Sequence, residues 1–141
     1  RHMNECGIPQ WDEVYPARPD IQSDIAAGEM FVLLCDGEIA CAFTLNRDCD
    51  EQYHGAPWRY GEPFYVLHRL CVDPRYQNRG IAARALACSE RYARENGAGS
   101  MRLDAFSLNP HALRLYENNG YRYVGDVHFR KGLFYLYEKA L

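Results

Sequence analysis

The sequence predicts a single α/β domain built on a mixed, mostly antiparallel sheet. Three observations carry this: an Asp36-Gly37 hairpin signal between two apolar runs, a strand-to-helix passage across Gly80, and a second hairpin pattern at the C-terminus. At 141 residues the chain has the size of one ordinary domain and can bury one sizeable core. Hydrophobic residues at 48 % and charged residues at 25 % lie near globular averages, which argues against disordered and fibrous classes.

Taken in order, Pro19 to Ala27 carries Ile21 and Ile25 one turn apart and stops at Gly28, the pattern of a short helix with a glycine cap. Met30 to Cys35 and Glu38 to Leu45 flank Asp36-Gly37, and a type I′ turn needs positive φ at both central residues, so these runs pair antiparallel. Asn46 to Glu62 shows neither helical nor strand period and exceeds a typical connection, the pattern of a functional or mobile loop. Pro63 to Val72 is an apolar and aromatic strand ending at the Asp73-Pro74 turn.

From Gly80 to Asn96, Ile81, Ala82, Ala85, Leu86, Tyr92 and Ala93 form one helical stripe. Glu90 with Arg94 and Arg91 with Glu95 add i,i+4 pairs, and Gly97 stops the helix. Met101 to Phe106 reads as a short strand. Asn109-Pro110 then supplies a cap and a first-turn proline for a helix ending near Asn119-Gly120. Tyr121 to Phe129 and Phe134 to Lys139 close the chain as a hairpin through Lys131-Gly132.

The longest apolar runs fall far short of the ~20 residues of a membrane span, and no leader pattern precedes them, so the protein is expected to be cytoplasmic without a membrane partner. Arg1-His2-Met3 reads as an expression-vector remnant before an initiator methionine, which leaves 4–141 as the domain. Six cysteines form no Cys-x-x-Cys pair and five histidines are scattered, a pattern of reduced thiols with no metal site. Net charge −3 and pI near 5.9 argue against a nucleic-acid partner.

The segment Val72 to Ala82 runs strand, turn, glycine loop, helix. Gly80 permits close backbone approach, and the first N–H groups of the following helix form an anion site, with Arg75 and Arg79 adding charge at its rim. Taken alone, this loop is equally well a plain strand-to-helix turn. Gln77-Asn78-Arg79-Gly80-Ile81-Ala82 also matches Gln/Arg-x-x-Gly-x-Gly/Ala in full, and Asn109 to Tyr121 is similar to Asn-x-x-Ala-x-x-Leu-Tyr-x-x-x-Gly-Phe/Tyr. In both motifs, in this order, the chain resembles the GCN5-related N-acetyltransferase (GNAT) superfamily from about Trp11 to its C-terminus.

The resemblance implies acetyl-CoA as cosubstrate, held between two splayed central strands with helices on both sheet faces. Its pyrophosphate would lie on Gln77, Asn78, Arg79, Gly80, Ile81 and Ala82, and its pantetheine arm on main-chain groups of Leu70, Cys71 and Val72. Asn109 would touch the cofactor, and Tyr116 would stand beside the sulfur as the acid that protonates the leaving thiolate. Asn109 is also a good helix cap, and Tyr116 also fits the buried side of a short helix.

If Pro63 to Val72 alternates regularly, Val66, His68 and Leu70 share one face. His68 lies four residues before Val72, where family members carry a proton acceptor, although a hydrogen-bonded core histidine fits equally. The expected reaction is transfer of acetyl to a primary amine of a small molecule or peptide by direct attack. The alternative is a non-catalytic acyl-CoA-binding or regulatory domain. Acidic Asp48, Asp50 and Glu51 with Tyr53, Trp58 and Tyr60 are the residues suited to an amine acceptor. The family's first strand and most of its first helix have no counterpart here, so the strand at Met30 is expected to be a sheet edge covered in a homodimer.

Overall fold

The structure, a computed structural model, describes residues 28–48 and 51–141, with side chains from 53 onward in the second stretch. The Pro19 to Ala27 helix, Asp50 and the Glu51 side chain lie outside the described residues.

Strands β1 (Met30–Cys35) and β2 (Glu38–Asn46) form the first hairpin, with Asp36 at φ 52° and Gly37 at φ 80°. Both turn residues therefore adopt the left-handed conformation that a type I′ turn requires. After the connection that carries a short 3-10 turn at Glu51–Gly55 come β3 (Phe64–Val72), α1 (Ile81–Glu95), β4 (Ser100–Phe106), α2 (Pro110–Asn118), β5 (Arg122–Phe129) and β6 (Gly132–Ala140). The six strands lie in the order β1-β2-β3-β4-β6-β5. All neighbours are antiparallel except β3 and β4, which run parallel because α1 crosses between them.

Both described helices cover the same face. Ala85, Leu86 and Ala93 of α1 and Tyr116 of α2 join Phe43, Leu45, Tyr65, Leu67, Met101, Leu103 and Tyr137 in one buried cluster. On the opposite face the 51–63 segment seals a smaller cluster of Tyr53, Val66 and Leu136. Glu90 departs from its expected pairing with Arg94. It is buried, accepting from the Tyr121 hydroxyl at 2.8 Å and from Lys139 Nζ at 2.9 Å, so it ties α1 to the start of β5 and to β6. Of the described cysteines, all free, Cys41 is buried, Cys35 and Cys71 are half-buried, and Cys88 is exposed.

The regular alternation expected of β3 does not hold. Ala42 pairs with Cys71 but Thr44 pairs with His68, so β3 carries one extra residue, and Arg69 sits at φ 54° within that bulge. The extra residue exchanges the faces beyond it. Cys71 falls on the His68 side in the register, where regular alternation assigns Leu70.

Candidate functional site

The bulge lies where the sheet opens. β3 and β4 pair only through Phe64 with Ser100, Tyr65 with Met101 and Val66 with Arg102. Beyond Val66, β3 continues to Val72 bonded to β2, while β4 continues to Phe106 bonded to β6. A wedge thus separates Leu67–Val72 from Leu103–Phe106, and the main-chain edges that face it have no partner strand among the described residues. Leu70, Cys71 and Val72 lie on one wall.

At the mouth of the wedge the chain leaves β3 through Asp73, whose carboxylate accepts from the Arg75 N–H at 2.9 Å and starts a short 3-10 turn at Pro74–Tyr76. Four exposed residues follow, Gln77 to Gly80, between buried Tyr76 and buried Ile81. Asn78 at φ 63° and Gly80 at φ 74° are both left-handed, so the loop doubles back on itself before α1 begins. Gly80 O accepts from the Arg84 N–H at 3.1 Å, the first acceptor bond of the helix. The N–H groups of Ile81, Ala82 and Ala83 have no acceptor among the described residues, and no side chain caps them. A Cβ placed on Gly80 would enter open space, so the approach to these donors is clear. Arg75 is committed elsewhere than expected, to Glu38 at 3.1 Å and Asp73 at 3.2 Å, whereas Arg79 has no ion pair among the described residues.

Asn109 caps α2, its side-chain oxygen accepting from the Ala112 N–H at 3.2 Å, and it is buried. One turn of helix and more beyond it, Tyr116 is 7 % exposed and packs against the rings of Tyr121 and Tyr137. Burial first, then the Asp104 carboxylate and the Cys41 thiol, push its hydroxyl well above the ordinary tyrosine range. These two neighbours belong to β4 and β2, one on each side of the opening. Tyr116 is therefore a neutral O–H at any physiological pH.

Burial raises both nearby thiols, Cys41 to about 12, so neither is a ready thiolate nucleophile. His68 Nε2 lies 2.9 Å from Asn46 Oδ1. The Asn46 amide orientation is fixed by donation from its Nδ2 to Glu29 at 3.0 Å and by acceptance at Oδ1 from the Asp48 N–H at 3.0 Å. Nε2 must then carry the proton in the neutral ring, which makes Nδ1 its acceptor nitrogen.

Sequence reasoning did not find Asp104, which stands on the β4 wall and accepts from the Tyr53 hydroxyl at 2.6 Å. Nothing in the local sequence of its strand separates it from a solvated acid. The aromatics expected to receive an acceptor are mostly structural. Tyr53 is 1 % exposed, and Trp58 donates to the Tyr53 carbonyl and stacks on the Arg102 guanidinium at 4.3 Å, which leaves Tyr60 exposed. His54, Trp58, Glu62, Phe64 and Arg102 line a recess of about 370 Å³ on this side.

A model of the acetyltransferase (GNAT) family matches residues 2–121. The Bacillus subtilis (strain 168) protein YhfO, an uncharacterized N-acetyltransferase, is 38 % identical over 66 residues, 46 % of this chain and 44 % of its own length, so the chain spans under half of that relative. Among solved structures, a GNAT family acetyltransferase from Streptococcus agalactiae superposes with TM-score 0.84 at 24 % identity, over 99 % of this chain and 82 % of that one. A GNAT family acetyltransferase from Elizabethkingia anophelis with acetyl-CoA bound superposes with TM-score 0.68 at 15 % identity, over 90 % of this chain and 85 % of that one. The opened sheet, the glycine loop at its mouth and the family match across most of the chain agree, and the chain belongs to the acetyltransferase (GNAT) family.

Proposed function

We propose that the chain is a cytoplasmic N-acetyltransferase that moves the acetyl group of acetyl-CoA directly onto a primary amine. The observation that carries this reading is the wedge itself, whose walls have no partner strand among the described residues beyond Val66, with uncapped helix N–H groups at its mouth and buried Tyr116 packed on the helix-covered face. In this reading acetyl-CoA supplies an acetyl group already activated as a thioester. The N–H groups of Ile81 and Ala82, with Gln77, Asn78, Arg79 and Gly80, hold its pyrophosphate by charge and by the helix dipole. Main-chain groups of Leu70, Cys71 and Val72 align the pantetheine arm as an added strand, and a donor among them polarises the thioester carbonyl as charge develops on its oxygen. Asn109, beyond its capping bond, is assigned to the cofactor on its match to the family motif.

His68 accepts the proton of the incoming amine at Nδ1, directly or through water, and Tyr116 donates its proton to the departing sulfur. The raised thiols of Cys41 and Cys71 favour this direct route over one through a cysteine ester. Exposed Asp48, Tyr60 and Glu62 give the acceptor side the chemistry to attract a cationic amine on a small molecule or peptide. Thiol release from acetyl-CoA across a panel of amines tests the reading, and binding of the cofactor without turnover of any amine would sink it.

Tyr116→Phe keeps the ring and its packing but removes the donor. We expect kcat to fall by about 10²-fold with thermal stability and cofactor affinity nearly unchanged, since a thiolate leaves tolerably without help. Full activity in this variant ends the assignment. Because Tyr116 acts in its protonated form and its pKa is raised, no loss of rate on the alkaline side up to the ordinary tyrosine range is expected from this group.

A homodimer remains part of the reading. β1 is an edge of the sheet among the described residues, and Val32, Leu34 and Ile39 are exposed beside it, Leu34 by 64 %. Light scattering at micromolar concentration is expected to give two chains per particle, and a single chain refutes it.

A further inference from the structure

The loop that carries the proposed pyrophosphate site is held from below by one side chain. Tyr76 is the last buried residue before the four exposed loop residues, and its hydroxyl donates to Glu38 Oε1 at 3.0 Å, across to the first residue of β2. The same Glu38 oxygen takes Arg75 NH1 at 3.1 Å. The guanidinium carbons of Arg75 and Arg79 lie 5.5 Å and 5.6 Å from the centre of the Tyr76 ring. Arg79 belongs to the loop, so the ring is a platform on which the loop's own cation rests. Behind the loop, the Asp73 N–H donates to Ala40 O at 2.8 Å and fastens the same stretch to β2.

We infer that Tyr76, anchored by Glu38, is a positioning residue that fixes the 77–80 loop and its N–H groups for the pyrophosphate of the cosubstrate. The inference rests on the acetyl-CoA reading above. Physically, a loop with two left-handed residues gains binding strength only if its donors are already convergent, because ordering them on binding costs affinity. The hydrogen bond to a carboxylate supplies that order from outside the 77–80 loop.

The test compares acetyl-CoA with S-acetylpantetheine, which has the same thioester and arm but no pyrophosphate. Wild type is expected to show a much lower KM for acetyl-CoA than for S-acetylpantetheine. Tyr76→Phe, which removes only the hydroxyl, should raise the acetyl-CoA KM by about five-fold and leave the S-acetylpantetheine KM where it was. Glu38→Ala should reproduce that shift alone and add nothing in the Tyr76→Phe background. An unchanged acetyl-CoA KM in Tyr76→Phe overturns the inference, as does an equal shift for both thioesters, which marks Tyr76 as a core residue and no more. Independent effects of the two substitutions overturn the part given to Glu38. Equal use of both thioesters by wild type is a different failure, that of the pyrophosphate loop itself.

Discussion

The two connections that flank β3 hold their shape by different means. The one that leaves it, 73–80, is shaped mainly by its own residues: the Asp73 carboxylate on a nearby N–H, Asn78 and Gly80 in left-handed conformation, and a helix that starts at once. The one that enters it, over 51–63, is shaped by distant side chains. Buried Glu138 of β6 accepts from the Arg59 N–H at 2.8 Å and the Tyr60 N–H at 3.4 Å, Arg102 of β4 donates to Tyr60 O at 2.9 Å, and the Tyr53 hydroxyl reaches Asp104. A loop whose turns come from its own backbone can present bare N–H groups to an anion, because the side chains that brace it, Asp73 and Tyr76, bond elsewhere than to those donors. A loop built on borrowed carboxylates has its polar groups satisfied, and offers a wall instead.

The sharpest way to break this contrast is at Gly80. A valine there must adopt a left-handed φ that a β-branched residue resists, and its side chain would fill the open approach to the helix N–H groups. At a ligand concentration of ~100 times the wild-type dissociation constant, acetyl-CoA should add about 2.7 kcal/mol to wild-type stability, a rise of several degrees in Tm, and nothing measurable to Gly80→Val. Equal stabilisation of both proteins removes the anion site from this loop.

Glu138→Ala attacks the other connection. It takes the acceptor from the Arg59 and Tyr60 N–H groups and removes the buried acid opposite Arg102 in the register, so a loss of about 2–3 kcal/mol is expected, seen as a lower Tm in the absence of ligand. The increment that acetyl-CoA then adds should survive, because 73–80 does not depend on Glu138. A normal Tm, or loss of the cofactor increment, would show that the two connections are not separate devices.

The same difference decides what could be read from the chain. Every described strand and helix was legible from local signals, since Asp36-Gly37, Gly80 and Asn109-Pro110 act on their immediate neighbours. The glycine loop and the Asn109 to Tyr121 segment were legible for the same reason. Glu90, Glu138, Arg102 and Asp104 were not, because their partners lie in other elements and any of them could as well have been a solvated charge. Tyr53 and Trp58, expected among the residues suited to an amine acceptor, instead anchor their loop to the sheet, a role that an aromatic in a long loop takes as readily. The β3 bulge was invisible, since one extra residue between two pairing partners leaves no mark in an apolar run.

His68 gives the smallest expected effect and lies between the two devices, on β3 just before the bulge and bonded to Asn46 at the end of β2. The Asn46 amide fixes the proton on Nε2, and the bulge that follows turns the next residues, so the ring's orientation is set by both ends of the strand. If Nδ1 takes the amine proton, a ring that already carries both protons cannot act as the base. His68→Ala should then reduce kcat/KM by about tenfold at neutral pH and shift or abolish the acidic limb, while the cofactor increment in Tm is retained. His68→Gln keeps a group able to bond Asn46 but cannot accept a proton at neutral pH. It separates the two roles: recovery of the rate in Gln assigns His68 to holding β2 and β3 in register, whereas a rate as low as that of Ala, with normal stability, assigns it to the chemistry. An acidic limb unchanged in both variants moves the search for the base to Glu62 and Asp48, the exposed acids at the two described ends of the connection before β3.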